Sequence, residues 1–211
     1  MAQSYSVCPG DHVFNIANKF GFRDYRIIWD HPKNAALKQK RINPHVLFPG
    51  DSIYIPDKTE KKESIATTRV HRFQISAEPL KLRLVLRDFD NEPVPNTDCE
   101  LEVEGQIYKL KSNGSGLIEK EIPATAQKGV LRVPDLDLEL PIKIGYLDPH
   151  DEESGWQGRL INLGYHPGPV GDEDTEHLGY SIEEFQCDHG LKVTGKLDDA
   201  TRSKLKEAHG A

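Results

Sequence analysis

Residues 80–87 read Leu80-Lys81-Leu82-Arg83-Leu84-Val85-Leu86-Arg87, with leucine at every second position. A period of two sends alternate side chains to opposite faces of a strand, so this run predicts a strand with one buried and one wet face. Short runs of the same kind follow at Cys99–Val103, Gln106–Leu110, Gly116–Ile122, Val130–Val133 and Leu136–Ile144. Between them stand Asp90-Asn91-Glu92-Pro93, Ser112-Asn113-Gly114-Ser115-Gly116 and Gln127-Lys128-Gly129, all residues that favour turns. Six or seven strands spaced about 8–12 residues apart predict a small antiparallel sandwich over residues 70–147.

On both sides of this block the period changes to 3.6. Upstream, Val13, Ile16, Ala17 and Phe20 fall at i, i+3, i+4 and i+7, one apolar helical face. Asp11 is placed to cap that helix and Gly21 to end it. A second short helix is expected over 25–30, with Ile27, Ile28 and Trp29 as core candidates. Tyr5-Ser6-Val7 and Ile53-Tyr54-Ile55-Pro56 read as an entry and an exit strand. Downstream, three helices are expected. The first covers about 156–163, the second about 176–189 with Leu178, Ile182, Phe185 and His189 on one face. The third is capped by Asp198 and turns Thr201, Leu205 and Ala208 inward. Charged, polar stretches at 58–69 and 148–155 read as linkers. The fold class is therefore multidomain α+β, with modules at 1–57, 70–147 and 156–211.

The 211-residue chain carries 27 basic and 34 acidic residues, and the imbalance is local. Residues 1–57 hold 7 basic and 5 acidic side chains, 58–145 hold 14 and 15, and 146–211 hold 6 and 14. Nucleic acid demands a basic face, so it is excluded as a partner. No apolar run approaches the roughly 18 residues that a membrane span needs, which argues against membrane insertion. Met1-Ala2-Gln3-Ser4-Tyr5 lacks the basic-then-apolar pattern of a signal peptide, so cytoplasmic synthesis is expected. Cys8, Cys99 and Cys187 are too widely spaced for a disulfide framework or a paired-cysteine zinc site.

No catalytic pattern stands out. HExxH, GxSxG and a P-loop are all missing, and Cys187-x-His189 is half a metal site at most. Neither an enzyme, a metal site nor a cofactor is expected.

Three resemblances sharpen this reading. "YSVCPGDHVFNIANKFGF" (5–22) and "LFPGDSIYIP" (47–56) resemble the LysM domain, a βααβ module that binds N-acetylglucosamine glycans. The stretch 31–48 is longer than the family's usual connector. The central strands are similar to immunoglobulin- or transthyretin-like modules. Gln157-x-Arg159-Leu160-x-x-Leu163-Gly164-Tyr165, Phe185-Gln186, His189-Gly190-Leu191 and Leu197-Asp198-x-x-Thr201-x-x-x-Leu205 resemble the three-helix peptidoglycan-binding domain. There, 171–176 replaces the family's glycine turn with acidic residues.

Together these resemblances imply peptidoglycan as partner and glycan contacts from Gly10, Asp11, His12, Val13, Asp30, His31, Pro32 and Asn34. In the last module they imply contacts from Arg159 and Tyr180. A binder of acetylated sugars needs backbone donors and acceptors plus apolar surface, and no nucleophile. The module set, with "IIWDHPKNAALKQKRINPHVLFPGD" (27–51) and "EFQCDHGLKVTG" (184–195), also resembles proteins of type VI and other contractile injection systems. That implies delivery to the wall by a secretion apparatus and, as an alternative role, a structural adaptor docked on spike or effector proteins.

Overall fold

The computed structural model describes residues 2–58, 68, 70, 80–88, 92–171 and 175–210, the side chain of Thr175 excepted. Most of the expected first linker, the approach to the sandwich at 71–79 and part of the acidic loop at 172–174 lie outside the described residues.

The N-terminal module opens with β1 (Gln3–Ser6) and closes with β2 (Ser52–Ile55), paired antiparallel with Tyr5 opposite Ile53. Between them run α1 (Val13–Lys19), α2 (Arg26–Trp29), a 3-10 turn at Pro32–Asn34 and α3 (Ala35–Arg41). Val13, Ile16, Ala17, Ile28, Trp29, Leu47, Ile53 and Ile55 form its core, as the 3.6-residue spacing of α1 requires. Two expectations are corrected. Ile27 is 51% exposed, because α2 is a single turn that buries only Ile28 and Trp29. Asp11 does not cap α1. Its Oδ2 accepts from the Cys8 amide at 2.9 Å and the Tyr5 hydroxyl at 2.7 Å, and His12 takes the cap position. The long connector is not a loop: it holds α3, so the extra residues add a helix to the module.

The middle module is two antiparallel sheets over one core. The smaller pairs β3 (Leu80–Val85) with β6 (Leu117–Ile122). The larger has the order β5-β4-β7-β8, from β4 (Asp98–Val103), β5 (Gln106–Lys111), β7 (Lys128–Val133) and β8 (Leu138–Lys143). Strand β4 alternates as a half-buried strand must: Cys99, Leu101 and Val103 point in and share one core with Ile118 and Ile122 from the smaller sheet and with Leu86 just after β3. The β4–β5 hairpin turns on Glu104 and Gly105, both at positive φ, which matches the twist of the flanking strands.

The C-terminal module is three helices, α4 (Glu153–Asn162), α5 (Thr175–Asp188) and α6 (Asp199–His209). Trp156, Leu160, Tyr165, Leu178, Ile182, Phe185 and Leu205 make its core. Asp198 caps α6, its Oδ1 accepting from the Thr201 amide at 2.8 Å. Helix α4 starts three residues before its expected position. The segment 148–155 is consequently not a free tether: Glu153, Ser154 and Gly155 are helical, and Pro149 and Gly155 are buried. Among the described residues, no helix is long and apolar enough to cross a membrane.

Candidate functional site

The residues expected to face glycan in the N-terminal module are mostly committed to its own structure. Asn34 is buried. Its Nδ2 donates to the carbonyls of Ile28 at 2.7 Å and Tyr54 at 2.8 Å, and its Oδ1 accepts from the Tyr54 amide at 2.7 Å. It ties α2 to β2, which uses up the groups a sugar would need. Val13 is a core residue. Gly10 lies under the ring of Tyr146, since a Cβ there would come 2.9 Å from its Cζ. His12 is buried against Gly145, where a Cβ would come 3.1 Å from the imidazole Cδ2. The chain leaving the sandwich therefore covers the 10–13 turn. Of the rest, Asp30 is exposed and pairs with Lys38, the His31 ring accepts from the Lys33 amide, and Pro32 is exposed on the next turn. These three share one edge, without Gly10, His12 or Asn34 open beside them.

In the last module Arg159 is buried, not presented. Its Nη1 donates to the carbonyls of Asp148 at 2.9 Å and Gly155 at 2.7 Å. Burial holds its guanidinium below its usual pKa, so these carbonyls are its compensation for lost water. Tyr180 is 60% exposed and its hydroxyl donates to Glu176.

What the sequence reading missed is a cleft of about 530 Å³ where the start of α4 meets α5 and α6. Leu197 is half-buried at its wall, the core residues Trp156, Leu178 and Ile182 form its floor, Gly179 brings helix backbone to its edge, and the Glu183 carboxylate lies 2.9 Å from where a Cβ on Gly195 would sit. Its charged residues come from two places. Asp151 and Glu153 flank the start of α4, while Lys196 and Arg202 come from the loop before α6 and its first turns. The Trp156 ring is ringed by cations, with Arg202 Cζ 5.6 Å and Lys206 Nζ 5.8 Å from its centre.

Gln186, wholly buried on α5, shapes the wall at 194–196. Its Oε1 accepts from the amides of Thr194 at 2.7 Å and Gly195 at 3.1 Å. Its Nε2 donates to the Lys196 carbonyl at 3.0 Å and the Thr201 hydroxyl at 2.8 Å. One side chain thus fixes the loop to two helices. Gln186 stood within a recognised motif, yet its type and spacing alone do not announce a buried hub. A second hollow of about 510 Å³, lined by Ile161, Tyr165, Pro169 and His177 among others, lies elsewhere on the same module. Among the described residues, no three His, Cys, Asp or Glu side chains converge to hold a metal ion.

Residues 156–205 match the family model described as "Putative peptidoglycan binding domain". Both hollows lie on the matched module, and the chain carries a peptidoglycan-binding domain at its C-terminal end. Neither the curated proteins nor the solved structures contain a match to the chain.

Proposed function

We propose that the chain is a non-enzymatic peptidoglycan-binding protein whose C-terminal module holds the polymer in the cleft beside Trp156. One observation carries this: both hollows lie on the matched module, but this is the one whose lining joins carboxylates (Asp151, Glu153) and cations (Lys196, Arg202) to apolar side chains. The cleft combines apolar side chains with charged groups of both signs, the mixture a sugar–peptide polymer calls for. The N-terminal module, LysM-like in its paired outer strands and the two helices α1 and α2 that follow the first, serves as a support for that site and not as a second sugar groove. The covered Gly10 turn and the saturated Asn34 support that assignment. The sandwich, immunoglobulin- or transthyretin-like, is a spacer. Delivery by a contractile injection apparatus belongs to the same proposal and rests on the resemblance of the module set.

The test is a titration of the isotope-labelled full chain with soluble disaccharide–peptide fragments of peptidoglycan, followed by amide shifts. Shifts are expected at residues 178–182 and 195–202. Shifts confined to the 10–13 turn, or none at millimolar fragment, overturn the reading.

A further inference from the structure

The cleft's acidic wall is not built by the C-terminal module alone. Asp151 lies just before α4, and Arg41, the last residue of α3 in the N-terminal module, binds it. Arg41 Nη1 donates to both Asp151 carboxylate oxygens at 2.8 Å, and Nη2 donates to Glu152 Oε1 at 3.3 Å. The other edge of the guanidinium donates to Asp51, at 2.7 Å from Nε and 3.0 Å from Nη2. The Arg41 side chain is 0% exposed, whereas Asp151 keeps 40% of its surface. The two-nitrogen fork on Asp51 fixes the guanidinium in position and orientation, and its Nη1 is thereby aimed at both oxygens of Asp151.

Arg41 meets three carboxylates here, Lys40 lies 4.0 Å from one of them, Asp51, and Glu153 adds a fourth carboxylate on the cleft wall, so negative charge remains for a ligand. The basic groups come from α6 and the loop before it. Arg202 is held by its own bond, Nε to the Leu197 carbonyl at 2.9 Å, and by the Trp156 face. No carboxylate among the described residues pairs with it. A neutral sugar can hydrogen-bond to either group, but a ligand that itself carries both charges gains in addition from their opposite signs.

Resting on the peptidoglycan reading above, we infer that the cleft takes the peptide stem and not the glycan. A residue bearing both an ammonium and a carboxylate sits with its amine toward Asp151 and Glu153 and its carboxylate toward Arg202, and Arg41 is the positioning residue that presents Asp151. The N-terminal module therefore completes the C-terminal site. This gives the added helix α3 a role, because it carries Arg41 to the junction.

The experiment is calorimetric titration of the full chain with three probes. They are a synthetic stem tetrapeptide whose third residue is a diamino dicarboxylic acid with a free side-chain amine, the same peptide acetylated at that amine, and an N-acetylglucosamine tetramer. The free peptide is expected to bind, with acetylation and Asp151→Asn each weakening it about tenfold and Arg202→Gln doing the same. Arg41→Gln should match Asp151→Asn, the pair together should be no worse than either, and neither should alter binding of the acetylated peptide. Arg41→Lys keeps charge without the fork and should fall between, which guards against a variant that simply unfolds. Equal affinity for both peptides, or binding of the tetramer alone, overturns the inference while leaving peptidoglycan recognition standing. Failure of the chain to bind whole peptidoglycan removes the underlying reading as well.

Discussion

His12 shows what burial does to one side chain. Its ring sits against Gly145, and neither nitrogen has a hydrogen-bond partner among the described residues. Burial first, and the neighbouring His45 second, pull its pKa down from 6.5 to about 4. Between those values the unfolded chain binds a proton that the folded chain refuses. Stability is therefore complete above pH 6.5 and falls as the pH drops toward 4, by roughly 3 kcal/mol for this residue. Asp51 acts in a lower window. Burial alone would raise its carboxyl, but bonds from Arg41 and the Phe48 amide outweigh that and hold it below its ordinary value. His12→Leu, similar in volume and with no bond to lose, should flatten the profile between pH 7 and 5. Urea midpoints at the two pH values check this. His209, also lowered to about 4 chiefly by burial, keeps part of the slope in the variant.

Among the elements, the loop between α5 and α6 matters most, since Gly195 and Lys196 line the cleft and Gln186 holds them. Gln186→Leu fills the same space but strands the Thr194 and Gly195 amides in a poorly hydrated setting. The expected cost is about 3 kcal/mol, at the upper end for an unsatisfied buried group. A denaturant titration reads that cost. Peptide affinity in the folded variant should fall too, because the wall loses its anchor. At the start of α4 the fit is tighter still. A Cβ at Gly155 would come 1.9 Å from the Pro149 carbonyl, so the helix must carry glycine where the preceding segment crosses it.

At the scale of the whole molecule, the ends of the chain are linked through the segment that follows the sandwich. Tyr146 packs on Gly10, and Asp151 and Glu152 pair with Arg41. Most of the fold was legible because periodicity is local. Leu80 to Leu86 announced a strand, and Leu178, Ile182 and Phe185 announced a helix, whatever lay around them. Asn34, His12 and Arg159 are buried although they read as ligand contacts, because polarity alone does not tell an exposed group from one enclosed by distant parts of the chain. The cleft was invisible for the same reason. Asp151 belongs to a stretch that reads as a solvated linker and nothing in its spacing sets Arg202 apart, yet the fold brings both to one cleft. Ile27 stood in an apolar run, but a one-turn helix cannot bury three consecutive residues.

The most direct measurement is cosedimentation of the full chain with purified, insoluble cell-wall sacculi, comparing wild type with the Lys196→Glu/Arg202→Glu double variant. The wild-type chain should pellet with the wall at moderate salt while the folded double variant stays in the supernatant. Equal pelleting of both proteins, or of neither, would contradict recognition of the wall through the cleft beside Trp156.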